Sequence, residues 1–170
     1  MGKCAFCCYH RRALFSAAAP REVFEAGLER VRRSFGLCVY GYVVMHNHVH
    51  LLLSEPPQCT LADAIKSLKQ GVSRRLIGDA EHFWQKRYYD FNVRNERQFV
   101  EKLRYIHRNP VNRGLCARLE DWEWSSFRQY ATGCAGRVEI ECEWTARARE
   151  RAAGKLCEAV QLPHSSQKTA

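Results

Sequence analysis

The period of the apolar positions changes several times along the chain, and each change marks an element. Cys4–Tyr9 reads as a short strand, followed by the basic turn His10-Arg11-Arg12, and because the chain begins almost at this strand it is expected to be short. Behind Pro20, residues Val23, Phe24, Leu28, Val31 and Phe35 recur at helical spacing, which predicts a helix to about Phe35 closed by Gly36. Leu37–Met45 is rich in β-branched and aromatic residues, and the apolar run Val49–Ser54 reads as a second strand. Only His46-Asn47-His48 separates the two, so they are predicted to form an antiparallel hairpin. Pro56-Pro57 ends that unit. Thr60 with Asp63 has the spacing of a capping box, and Leu61, Ile65, Leu68, Val72 and Leu76 mark the buried stripe of a second helix. Tyr88–Val93 reads as an edge strand. Asn95 caps a third helix, which is predicted to end near Asn109 because Pro110 follows. Within that helix Phe99, Val100, Leu103 and Ile106 gather on one side as its core face.

Strand, helix, strand, strand, helix, strand, helix is the split βαβ order. The expected class is α+β: a ferredoxin-like antiparallel sheet with helices on one face, an added helix, and a C-terminal tail. The domain is expected to fill residues 1–140. Residues 141–170, rich in Ala, Arg and Glu with weak periodicity, are expected to be a helical or partly disordered tail.

Composition narrows the class. With 170 residues, 46% hydrophobic and 26% charged, the chain suits one soluble domain. Val49–Leu53, broken by His50, is far too short an apolar run to span a bilayer, and no secretory leader is recognisable. A cytoplasmic setting is therefore expected. Nine cysteines make an odd count, which argues against a disulfide framework. Cys4, Cys7 and Cys8 form half of a zinc pattern, but no second Cys or His pair follows at zinc-finger spacing, so reduced, small apolar thiols are expected. Residues 1–118 hold 20 Lys or Arg against 10 Asp or Glu, whereas residues 119–170 hold 7 against 8. The whole basic excess lies in the first two-thirds, and 20 of the 27 cations are Arg. That distribution points to a polyanion, nucleic acid ahead of a membrane surface.

Two places carry chemistry. His48 and His50 are two apart on a predicted strand, so both imidazoles point to one face and make half of a divalent-metal site. The alternative is a pair of strand histidines satisfied by hydrogen bonds. On the third helix Tyr105 falls away from the apolar stripe with Gln98, Lys102 and Asn109, and Tyr105 and Asn109 are neighbours one turn apart. A phenol beside an amide that could complete a ligand set suits a nucleophile for a metal-polarised phosphate. Taken alone, Tyr105 reads better as an ordinary surface tyrosine on a helix.

Taken together these blocks resemble a known family. Tyr42-Val-Val-Met-His-Asn-His-Val-His-Leu-Leu-Leu, Lys69-Gln70, Phe83-Trp-Gln-Lys-Arg-Tyr-Tyr-Asp90, Leu103-Arg-Tyr-Ile-His-Arg-Asn-Pro-Val111 and Trp122-Glu-Trp-Ser-Ser-Phe127 resemble the REP-associated tyrosine transposases, a branch of the HUH single-strand transposases. The resemblance covers roughly residues 5–145. It implies that His48 and His50 bind Mg²⁺ or Mn²⁺ with Asn109 as third ligand, and that Tyr105 is the nucleophile. It also implies nicking and joining of single-stranded or hairpin, REP-like DNA through a 5′-phosphotyrosine, by a monomer or a homodimer. His46 stands where proline is usual in that family. His46 and Lys102 are accessory candidates, Lys102 as a group that helps Tyr105 lose its proton.

For DNA contacts the sequence offers Lys66, Lys69, Arg74 and Arg75 on the second helix, then Lys86 and Arg87, with Tyr89 to stack on a base. Two other functions fit the same residues less well. One is a domesticated hairpin-binding protein without transposition activity. The other is a zinc hydrolase built on His46, His48 and His50, which lacks an acidic general base nearby.

Overall fold

A computed structural model describes residues 2–77, 82–86 and 89–153, without the side chains of Lys3 and Tyr89. Four strands, β1 (Gly2–Cys7), β2 (Val39–Val44), β3 (His48–Leu53) and β4 (Tyr89–Asn92), form one antiparallel sheet in the order β2-β3-β1-β4. Helices α1 (Ala18–Phe35) and α2 (Leu61–Ile77) cover one face and α3 (Glu96–Asn112) the other, followed by α4 (Phe127–Thr132) and α5 (Glu143–Ala152). This is the ferredoxin-like arrangement the element order predicts.

Strand alternation sorts the core into two layers. Cys4 and Phe6 of β1, with Val49, Leu51 and Leu53 of β3, pack on Phe24, Leu28 and Val31 of α1 and Ile65, Leu68 and Val72 of α2. Val43 of β2 and Leu52 of β3 pack on Ile106 of α3, with Met45 and Trp122 beside them. The alternation that sends Val49 and Leu51 into the first layer sends His48 and His50 into the second, toward α3. Gly41 sets how closely α3 can approach. A methyl group there would lie 2.5 Å from Leu103 Cδ1, so the bare backbone is what lets α3 sit down on β2.

The capping chemistry holds as expected. Thr60 and Asp63 exchange backbone and side-chain hydrogen bonds, Asn95 Oδ1 accepts from the Gln98 N–H, and Gly36 ends α1 in the left-handed region at φ 62°.

Four expectations need correction. β1 runs Gly2–Cys7 rather than Cys4–Tyr9, because His10 and Arg11 take positive φ (50° and 54°) and turn the chain away. β1 is also not a short strand: six of its residues pair with β3 and four with β4. Helix α3 does not stop near Asn109 but runs through Pro110 to Asn112. Proline removes one N–H, yet Arg113 still donates to Asn109 O and Leu115 to Pro110 O, so the last turn closes. Val100 is exposed rather than core, since the sheet reaches only the Phe99–Leu103–Ile106 side of α3.

The sequence left residues 113–140 unassigned, and they cover the free edge of β2. Val44 N–H donates to Trp124 O, Ser126 N–H to Tyr42 O, and Glu141 N–H to Val39 O, so the outer strand is hydrogen-bonded along its length. Helix α5 leans on α4 through Trp144 Nε1 to Tyr130 O and Gln129 Nε2 to Thr145 Oγ1.

Glu29 ties α1 to this covering segment. Burial pushes its carboxyl up, but donors from Arg32, the Glu139 N–H and Arg33 overcome that and hold it at about 2. A free glutamate titrates near 4.5. The ionised form therefore stabilises the fold fully above that pH, and the contribution is lost as pH falls toward 2. Glu29→Gln is expected to cost on the order of 1–2 kcal/mol at pH 7 and about a quarter of that near pH 2.5 in urea denaturation. An equal cost at both pH values would show that the charge is not the source.

Candidate active site

β3 is an inner strand, flanked by β2 and β1. Opposite His50 stand Val43 and Ala5, and the small Ala5 leaves room for an imidazole under α3. The His48 and His50 rings lie 4.9 Å apart, centroid to centroid, at 84°. Helix α3 lays Tyr105 across them: its ring sits 5.3 Å from that of His50, again edge to face. One turn on, Asn109 Nδ2 is 3.2 Å from His50 Nε2. The structure thus brings His48, His50, Tyr105 and Asn109 together from two elements.

Burial divides the roles. His50 is 7% exposed and Asn109 3%, whereas Tyr105 is 43% exposed and open to a large substrate. The polar stripe of α3 is therefore not its solvent side, as the helical spacing alone suggests. It lies along the sheet beside the apolar stripe, and Asn109 is pressed onto β3. Asn109 Oδ1 is buried without a hydrogen-bond partner.

Asn47, which the sequence analysis treats only as turn, orients the first histidine. Its Nδ2 donates to Arg11 O at 3.2 Å, which fixes the amide and leaves Oδ1 facing His48 Nδ1 at 2.6 Å. His48 Nδ1 must therefore carry the proton. Burial, then the positive charges of Arg113 and Arg11, lower the His48 pKa to about 4, against a weaker raising contribution from Asn109. The ring is neutral at pH 7, and its Nε2 keeps a lone pair for an electrophile.

Asn47, His48, His50 and Tyr105 open on a cavity of about 450 Å³, also lined by Cys7, Arg11, Met45, His46 and Arg113. His46 is half-buried beside Trp122, with its pKa lowered by burial and then by the Arg21 charge. Lys102 lies over the Phe91 ring at 4.4 Å. Among the described residues no three His, Cys, Asp or Glu side chains surround one point, so any cation site here relies on an amide as well as imidazoles. Alternation also separates the cysteine cluster: Cys4 and Cys8 are buried in the first core layer, their thiols pushed up to about 12 chiefly by burial, while Cys7 opens on the cavity.

The candidate DNA contacts fall elsewhere. Lys66, Lys69 and Lys86 line a groove of about 410 Å³ between α2 and residues 82–86, on the α1/α2 side of the sheet. Lys69 is half-buried there and donates to Gln85 O, while Trp84 Nε1 donates to Lys69 O. Arg74 and Arg75 join Arg30 at a separate groove between α1 and α2. Arg87 and the Tyr89 side chain lie outside the described residues.

The family pattern described as "Transposase IS200 like" matches residues 2–109, more than half of the chain and all four residues of the cluster. The chain belongs to the IS200-like transposase family. A putative REP-associated tyrosine transposase of Haemophilus influenzae is 28% identical over 99 residues, covering 51% of this chain and 56% of the relative. The REP-associated tyrosine transposase of Escherichia coli is 23% identical over 110 residues, covering 64% and 65%. The chain thus matches just over half to just under two-thirds of the length of these family members. A solved REP-associated tyrosine transposase bound to a REP hairpin superposes with a TM-score of 0.68 at 19% identity, over 83% of this chain and 85% of that one, which establishes the shared fold.

A second buried contact holds α3 in register. His107 Nε2 lies 2.8 Å from Ser126 Oγ, which also accepts from the Tyr42 N–H at 3.0 Å. Burial lowers the His107 pKa to about 4, so a neutral ring joins the tyrosine helix to the covered edge of β2. Ser126→Ala removes a partner from both groups and is expected to cost about 1–3 kcal/mol in denaturant unfolding. An unchanged midpoint would show that neither group depends on that hydroxyl.

Proposed function

We propose that this chain nicks and rejoins single-stranded or hairpin DNA, with Tyr105 as nucleophile and a divalent cation, Mg²⁺ or Mn²⁺, held by His48, His50 and Asn109. The observation that carries the reading is the approach of Tyr105 and Asn109, on one turn of α3, to His50 on β3.

The residues present suit the cation. His48 offers Nε2 because Asn47 holds its Nδ1 proton. Asn109 Oδ1 is a buried acceptor with no hydrogen bond to satisfy it. The two ends of an amide are alike in shape, so its place beside His50 Nε2 can present oxygen as readily as nitrogen. Imidazole and amide ligands suit Mn²⁺ somewhat better than Mg²⁺. When bound, the cation would supply charge stabilisation to a non-bridging phosphate oxygen.

Tyr105, half-open to solvent at the mouth of the cavity, meets a strand laid across it. Its oxygen bonds to phosphorus as the bond to the 3′ oxygen breaks. The product is a 5′-phosphotyrosine and a 3′-OH, which receives the proton the phenol gives up. A later 3′-OH reverses the exchange and joins two strands, so the phosphodiester energy is kept in the covalent link. Lys102, one turn before Tyr105, is a group through which that proton could move, once lifted from Phe91. Lys66, Lys69, Arg74, Arg75, Lys86, Arg87 and Tyr89 would grip the rest of the strand. The zinc-hydrolase reading lacks support, because among the described residues the cavity has no acidic side chain to act as base. All four reacting or ligating residues meet within one chain, which favours a monomer working with its own tyrosine. Work on chromosomal DNA places it in the cytoplasm.

A labelled DNA hairpin with a single-stranded 5′ tail, incubated with Mn²⁺, is expected to become covalently attached to the wild-type chain and not to Tyr105→Phe. Mixing Tyr105→Phe with His50→Ala is expected to restore no adduct. Tight binding without any adduct would instead identify a hairpin-binding protein, and restoration on mixing would show a site shared between two chains.

A further inference from the structure

Two arginines that no motif singles out open on the cavity of Tyr105. Arg11 comes from the turn after β1 and Arg113 from the residue that caps α3. Among the described residues, the cavity lining contains no aspartate or glutamate. Several arginines elsewhere are already paired: Arg32, Arg97, Arg118, Arg137 and Arg149 each face a carboxylate within 4 Å. A cavity with two guanidiniums and no acidic wall is a site for an anion.

The position of Arg11 is also built. Its φ of 54° lies in the left-handed region, which a non-glycine residue keeps only where its surroundings hold it. The Asn47 amide holds it, donating to Arg11 O with one end and accepting from His48 with the other. One side chain thus sets both the histidine and the arginine. Arg113 is placed by its N–H bond to Asn109 O, so it is fixed to the turn of α3 that carries Asn109.

We propose that Arg11 and Arg113 are a phosphate clamp, gripping the non-bridging oxygens of the DNA phosphodiester presented to Tyr105. A guanidinium fork can hold phosphate oxygens two at a time, and two forks from separate elements fix a phosphate against both sliding and rotation. Such a grip orients phosphorus toward the phenol and offsets the charge that grows on its oxygens during attack. The clamp rests on the strand-transfer reading for the identity of its anion, and its test keeps the two apart.

Single methylphosphonates, which remove the charge of one phosphate, are placed in turn along the single-stranded tail of a DNA hairpin. Affinity is then measured by anisotropy in the Tyr105→Phe background. One position is expected to weaken binding by about tenfold when both arginines are present. In Arg11→Gln and in Arg113→Gln that penalty is expected to shrink toward unity at the same position, with the other positions unchanged, and Arg113→Lys should keep part of it. A penalty that survives both glutamine variants would overturn the clamp, even if the wild-type chain forms its tyrosine adduct. An arginine-dependent position without any adduct would uphold the clamp and overturn strand transfer.

Discussion

The seating of α3 on the sheet is the contact from which the candidate site follows. Ile106 packs against Val43 and Leu52, Leu103 fits over the bare backbone of Gly41, and the turn they anchor carries Tyr105 and Asn109 to His50. None of these apolar contacts is chemical, yet a shift of α3 by the width of a methyl group would part the phenol from the imidazoles. A site divided between a strand and a helix depends on packing to hold its geometry, because neither element positions the other through the chain.

Several features resist such a shift. The neutral His107 joins α3 to Ser126, and the segment carrying Ser126 is hydrogen-bonded along β2, so the helix is held to the edge of the sheet as well as its face. Trp122 Nε1 donates to Val44 O, and Arg21, buried under Trp124, donates to Phe15 O and Ser16 O, which closes the layer beside the histidine turn. Asn109 Oδ1, by contrast, is buried with no hydrogen-bond partner. A buried acceptor without a donor is costly unless something binds it, and the proposed cation would supply that partner.

Most of the fold was legible because its signals are local. A three-residue gap between two β-rich runs means a hairpin, and caps at Thr60 and Asn95 mark helix starts whatever lies around them. The facing of His48 and His50 was legible for the same reason, since alternation is a property of the strand itself. The placement of Asn109 was not. Helical spacing gives the angle between Asn109 and the apolar stripe, but not what occupies that direction, and a sheet occupies it. Asn47, Arg11 and Arg113 left no signal for a related reason: one amide in a turn and two cations among twenty arginines gain meaning only when β1, β3 and the end of α3 are assembled. Residues 113–140 were unreadable because their backbone bonds go to β2, a distant partner with no trace in local periodicity. Resemblance supplied what spacing could not, by linking the histidine block and the tyrosine block before any contact between them was known.

The proposed strand transfer depends on a cation held jointly by β3 and α3. Electron spin-echo spectroscopy of Mn²⁺ added to the protein tests this most directly. Two imidazole nitrogen couplings are expected, with one lost in His48→Ala and one in His50→Ala, and with weaker Mn²⁺ affinity in Asn109→Ala. Mn²⁺ that binds with no imidazole coupling, or with couplings indifferent to those substitutions, would contradict it.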